Sequence, residues 1–146
     1  MKQIAELIEG QTLQVIEPSW TVRKAAEHMA KWNIGAVAVV DGGHLAGIFS
    51  ERDIMRRVVA LGLDPSTTAV SAVMSKELVV ADPTELVDSA LHKMRSIGSR
   101  HLPVVEEGKL VGMISIRDLL EVDEQQQRAK ARFMTDLVRY SPDYET

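Results

Sequence analysis

Two short stretches carry side chains able to do chemistry, and they are copies of each other. Gly47-Ile48-Phe49-Ser50-Glu51-Arg52-Asp53 recurs as Gly112-Met113-Ile114-Ser115-Ile116-Arg117-Asp118. In each, an apolar run ends in Ser and passes into a helical pattern. A hydroxyl, backbone N–H groups without intrahelical partners and an Asp therefore meet at a helix N-terminus, where the helix dipole is positive and anions are favoured. An ionised Asp only accepts hydrogen bonds, which suits a diol such as a ribose. Ser50 and Ser115 are thus candidates for phosphate, Asp53 and Asp118 for sugar hydroxyls, and Arg52 and Arg117 for neutralising the anion. The same Ser-x-x-Asp spacing is also that of a helix cap, Ser at the N-cap and an acid at the third helical position. The two roles are compatible, and duplication at equivalent places favours the ligand.

The elements that must position these residues are themselves duplicated. A shift of 65 positions, which carries Asp53 onto Asp118, aligns the halves without a gap from about Ala5 to Arg56. Leu13, Val15, Pro18, Val22, Ala25 and Met29 return as Leu78, Val80, Pro83, Val87, Ala90 and Met94. Each unit reads as a short strand (Leu13 to Ile16; Leu78 to Ala81), then a helix with an apolar face through Val22, Ala25 and Met29 or Val87, Ala90 and Met94. A hairpin follows, around Asp41-Gly42-Gly43 or Glu106-Glu107-Gly108, and a second helix starts after the Ser. Val70 to Met74 reads as a helical turn. The strands are continuously apolar, so each small sheet needs cover on both faces. Helices cover one face and the sister sheet is the simplest cover for the other. The expectation is an α+β protein of tandem β-α-β-β-α units, residues 1–65 and 66–123, packed sheet to sheet with pseudo-twofold symmetry. Residues 124–146 form a C-terminal helix and tail.

That last segment is polar but helical from Glu124 to Arg139, with Ala129, Phe133 and Leu137 on one stripe. It is expected to cover its own module or a dimer mate; its basic residues leave open a phosphate- or nucleic-acid-contacting tail. Tyr140 to Thr146 reads as a loose end.

The 146 residues are 45% hydrophobic and 26% charged, with a net charge of −4, which argues against a binder of nucleic-acid backbones. The chain lacks Cys, so disulfides, thiolate catalysis and sulfur-bound metals are excluded. The His residues show no metal-ligand spacing, and no metal site is expected; His28, His44 and His92 read as isolated surface positions. No span or signal peptide is apparent, so a cytoplasmic location without membrane attachment is expected. There is no nucleophile paired with a base and no phosphate-cradling Gly loop of the P-loop kind, so an enzyme is not expected.

Taken together, the duplicated Gly-apolar-apolar-Ser-x-x-Asp stretch, the Arg100-His101-Leu102-Pro103-Val104 segment and the helix starts at Pro18 and Pro83 resemble the CBS-domain family, in the paired arrangement called a Bateman module. The resemblance covers nearly all of the chain except about the last twenty residues. It implies a non-enzymatic regulatory module with clefts between the units for adenosine-containing ligands such as AMP, ADP or ATP. No catalytic cofactor is implied, and magnesium would arrive only with a polyphosphate. The resemblance extends the site to Gly35 and Ala36 in the first unit and to Arg100, His101 and Pro103 in the second. It also implies a homodimer and an effector protein that receives the signal. The first unit has Gly35-Ala36 where the second has Arg100-His101, so unequal clefts are expected. The alternative is a ligand-free module that dimerises and whose Ser-x-x-Asp motifs are caps.

Overall fold

The computed structural model describes residues 2–140, except the side chains of residues 139 and 140. Thr21 caps α2 (Val22–Trp32), its side chain accepting from the Lys24 N–H, and Asn33 ends that helix in the left-handed region. Two strands follow, β2 (Ala36–Asp41) and β3 (His44–Ser50), paired antiparallel through a tight turn. Gly42 and Gly43 both take positive φ there, as the mirror-image hairpin turns require. The second unit repeats this with α5 (Val87–Ile97), β4 (His101–Glu106) and β5 (Lys109–Ser115), the turn placing Glu107 and Gly108 at positive φ. Both hairpins carry a register irregularity at the same place, between Val39 and Val40 and between Val104 and Val105.

The leading strands are shorter than the apolar runs suggest. In the first unit only Val15–Ile16 (β1) pairs, parallel to β2. In the second, the expected strand from Leu78 to Ala81 is reduced to one parallel bridge between Ala81 and Val104. Pro103 accounts for part of this: it has no N–H to give, and only its carbonyl joins the ladder, accepting from the Ala81 N–H at 2.9 Å.

The lead segments are exchanged between units. α1 (Ile4–Ile8) precedes the first unit but buries Ile4 in the core of the second, among Val87, Leu91, Leu102 and Leu119. α4 (Val70–Val73) precedes the second unit but completes the core of the first, around Val22, Val39 and Phe49. Backbone bonds fix both docks: Val70 N–H to Trp20 O at 2.8 Å, and Ile4 N–H to Glu85 O at 2.8 Å. Separating the units would strip each core of a segment supplied by the other, so they should fold as one. β3 and β5 meet at the junction. The fold is therefore α+β, with two β-α-β-β-α units packed sheet to sheet and a C-terminal helix.

After the strands the copies diverge. In the second unit one α-helix, α6, runs from Ile116 to Tyr140 without a break at residue 124. Leu119 is buried and Val122 packs against the same core, but the helix then projects, and Phe133, Met134 and Leu137 are more than half exposed. Beyond Val122 only Asp123 and Gln126 are still partly buried, and residues 127–138 are all exposed. Of the expected loose end, residues 141–146 lie outside the described residues. In the first unit α3 (Glu51–Asp53) passes into a π-helical segment, Ile54–Val59, with Ala60 N–H bonded to Met55 O. The wider π turn absorbs one extra residue, so buried Val58 fills the role that Val122 has in the other unit. The gapless match between the halves fades inside this segment.

A cleft between the two units

Ser50 ends β3 and caps α3. Its N–H donates to Asp53 Oδ2 at 3.0 Å and its hydroxyl to the same oxygen at 3.1 Å, while the Asp53 N–H donates to Ser50 Oγ at 3.2 Å. This is a closed capping box. The Glu51 N–H, first of the helix, is taken by Gly35 O at 2.9 Å. The expected set of free N–H groups thus reduces to that of Arg52, which has no partner among the described residues. In this arrangement the Ser50 hydroxyl also has no hydrogen left to give an anion. The second motif is built alike: Ser115 N–H to Asp118 Oδ2 and Asp118 N–H to Ser115 Oγ, both 3.1 Å, and Ile116 N–H to Arg100 O at 2.8 Å.

The two aspartates nevertheless differ. Asp118 is exposed, whereas Asp53 is 7% exposed. The outer oxygen of Asp53, Oδ1, meets Ser75 Oγ at 3.4 Å and Arg57 Nε at 3.8 Å, both long contacts that leave it acceptor capacity. Arg57 is held in turn, donating to the carbonyls of Val73 and Met74 at 3.2 and 3.1 Å.

Asp53 lines a cleft of about 670 Å³ between the units. Gly35, Ser50 and Arg52 of the first unit line it as well, and so do Ser99, Arg100 and His101 of the second. Arg100 and His101 therefore reach the cleft of the first motif, across the junction between the units. Ile48, Leu78, Val79 and Ile97 supply apolar wall. The remaining sequence candidates do not line this cleft. Ala36 is buried in β2 opposite Ser50, Pro103 is buried in β4, and Ser115, Arg117 and Asp118 cap α6 elsewhere. Arg56, Arg57, Ser75 and Glu77 line the cleft without having been singled out in the sequence. Arg56 follows Arg52 by one helical turn, a spacing that could have marked it. Ser75 comes from the exchanged segment, which no local pattern announces.

A side chain at Gly35 would crowd the cleft rim, since a Cβ there lies 3.1 Å from Glu51 Oε1. His28, expected on the surface, is half-buried and packs edge-on to Trp20 with centroids 5.6 Å apart. Among the described residues no group of three or more His, Asp or Glu side chains is arranged to hold a metal ion, and no helix is long and apolar enough to cross a membrane.

Burial pushes the His101 imidazole below its ordinary value near 6.5; Arg100 adds to this, and Asp118 and Glu51 oppose it. The charged form is disfavoured in the fold. Stability is then full above about pH 6.5 and is lost as pH falls through the lower folded-state value. In thermal melts between about pH 7.5 and about pH 5.5, His101→Gln should show a shallower decline than the parent protein. Parallel declines would assign the acid sensitivity to other groups.

A model of the CBS domain matches residues 11–60 and again residues 70–124. The chain belongs to the CBS-domain family. As a CBS pair it is of a regulatory class of module. It is 39% identical over 104 residues to the CBS domain-containing protein YhcV of Bacillus subtilis, covering 71% of this chain and 74% of that one. Of some other curated relatives it spans smaller shares, 51% of one and 14% of another. Among solved structures, a CBS-domain protein from Burkholderia ambifaria is 34% identical, with a TM-score of 0.78 over 83% of this chain and 93% of that chain. The CBS pair of protein MJ0100, solved in complex with 5′-methylthioadenosine and S-adenosyl-L-methionine, shares the fold at 20% identity, with a TM-score of 0.77 over 86% of this chain and 98% of that chain.

Proposed function

We propose that this CBS pair is a non-enzymatic sensor that binds an adenosine-containing nucleotide in the cleft between its units. The observation that carries the reading is a single one: Asp53 of the first motif and Arg100 and His101 of the second unit line one cavity. Asp53 Oδ1 would accept from the ribose hydroxyls, the aliphatic wall would hold the base, and the arginines with the Arg52 N–H would meet phosphate. That MJ0100 takes adenosine ligands on this fold supports the choice of nucleoside.

The same helix suggests how binding is reported. Arg56 and Arg57 face the cleft, while Met55 and Val59 are 56% and 70% exposed on the segment. A second copy seated on that apolar surface would feel any shift of the helix. Only a ligand with unequal affinity for the two geometries can drive such a change.

The competing reading is a dimerising scaffold without ligand, favoured by one observation: the Asp53 carboxylate already has Ser50, Ser75 and Arg57 around it. A thermal-shift panel of AMP, ADP, ATP, NAD and S-adenosylmethionine separates the two. At a hundred times its dissociation constant a true ligand adds about 2.7 kcal/mol, several degrees in Tm. No rise with any of the five would leave the scaffold.

A further inference from the structure

We propose that the cleft selects a nucleotide by its phosphate chain, taking di- and triphosphates in preference to monophosphates, with Arg56 as the residue that reads the added charge. This rests on the nucleotide reading above and makes it narrower.

The repeat supplies an internal control. The repeat places Arg117 opposite Arg52 and Gly35 opposite Arg100 at a shift of 65; past the residue that the π turn absorbs, where Val58 matches Val122, Leu120 and Glu121 stand opposite Arg56 and Arg57. The four cationic positions that line this cleft thus have one cation, Arg117, among their repeat equivalents. Geometry follows the same asymmetry, because the π turn that widens the helix is in the first unit, whereas α6 is a regular α-helix. Arg52, Arg56 and Arg57 all line the cleft from this helix.

Of the four, Arg57 is committed to Asp53 and to the carbonyls of Val73 and Met74. Arg52, Arg56 and Arg100 are exposed, and their guanidinium groups have no hydrogen-bond partner among the described residues. The carboxylates of Glu51 and Glu77 also line the cleft, so the free cations exceed the free acids by a narrow margin. A monophosphate ester carries about two negative charges at neutral pH, and each further phosphate adds roughly one. With the ribose on Asp53, the first phosphate falls beside Arg52, close to the helix start. Arg56 lies a turn further on and Arg100 comes from the other unit. Additional phosphates are what would bring those two guanidinium groups into use, each a charge-assisted donor fork.

The test is calorimetric titration of AMP, ADP, ATP and inorganic tripolyphosphate into the full chain and into Arg56→Gln, at one fixed low salt concentration. Because Arg56 is exposed, the substitution should leave the ligand-free melting temperature in place. ATP should bind at least about tenfold more tightly than AMP, and Arg56→Gln should weaken ATP about tenfold while changing AMP less than about twofold. Equal affinity for AMP and ATP, or an equal loss for both in the variant, overturns the phosphate-chain proposal and leaves the nucleotide reading intact. Tripolyphosphate binding as tightly as ATP would instead remove the nucleoside from the reading and keep the role of Arg56. No binding of any of the four overturns both.

Discussion

Asp53→Ala is expected to cost the protein about 1–2 kcal/mol of stability and to weaken adenylate binding about ten- to a hundredfold. The two losses come from different oxygens. Oδ2 closes the capping box with the N–H and hydroxyl of Ser50, and removing it releases a helix start. Oδ1 faces Ser75 and Arg57 at longer range and, on the proposed reading, would be the acceptor for a ribose. Arg57 stays anchored by two carbonyls in the variant, so the cation is not set free to mask the loss. Asp118→Ala is the matched control. It breaks a capping box of the same design, but at an exposed position outside the cleft. It should lower Tm by a similar or smaller amount and leave adenylate affinity nearly unchanged. Calorimetry well below both melting temperatures reads binding separately from folding. If Asp53→Ala melts early yet binds adenylates like the parent, the motif is a cap and the ribose belongs elsewhere.

The contrast between Asp53 and Asp118 also marks what could be read in the chain and what could not. The repeat, the hairpins and the helix starts are local: a Gly-Gly turn, a Pro-to-helix step and an alternation of apolar residues each leave a trace within a few positions. Family, fold class and the Ser-Asp pairs were legible for that reason. What brings Arg100 to Asp53 is the packing of one unit on the other, and its contacts span about half the chain. Nothing near Arg100 says which cleft it enters. The exchange of α1 and α4 is hidden in the same way, because Ile4 and Val70 look alike as apolar residues before a strand. The π turn did leave a sign, since register between the halves fails within it. Read as an insertion, that failure would have pointed to Arg56 and Arg57. The cap itself was legible, since Ser-x-x-Asp is its spacing and Ser50 Oγ does take the Asp53 N–H; what the sequence did not show is that Gly35 O takes the Glu51 N–H as well.

The glycine that opens each motif bears on the same lesson, and Gly47→Ala should be among the most damaging single-methyl changes in the chain. In the sequence it only opens the apolar run before the Ser, but in the fold it is where two segments nearly touch. A Cβ at Gly47 would lie 2.8 Å from the Ser75 carbonyl oxygen and 2.7 Å from Met74 Sδ. The thioether can swing aside, whereas the carbonyl cannot: it accepts from Ile48 N–H at 3.0 Å, and Ser75 N–H returns a bond to Ile48 O at 2.9 Å. Making room means stretching that pair or bending β3, an overpacking cost of about 2–3 kcal/mol, or several degrees in Tm for a chain of this size. Because Ser75 also touches Asp53, the displacement should reach the cleft and weaken ligand binding along with stability. Gly112→Ala tests the reason. The three atoms nearest its Cβ all belong to the Ile8 side chain, the first at 2.6 Å, on the short helix α1. There the strand partner is not backbone but the Gln11 amide, which bonds both the N–H and the carbonyl of Met113 and can move with α1. Gly112→Ala should therefore cost less than Gly47→Ala in denaturant or thermal melts. Equal costs would mean that the rigid carbonyl is not what forbids a side chain at position 47.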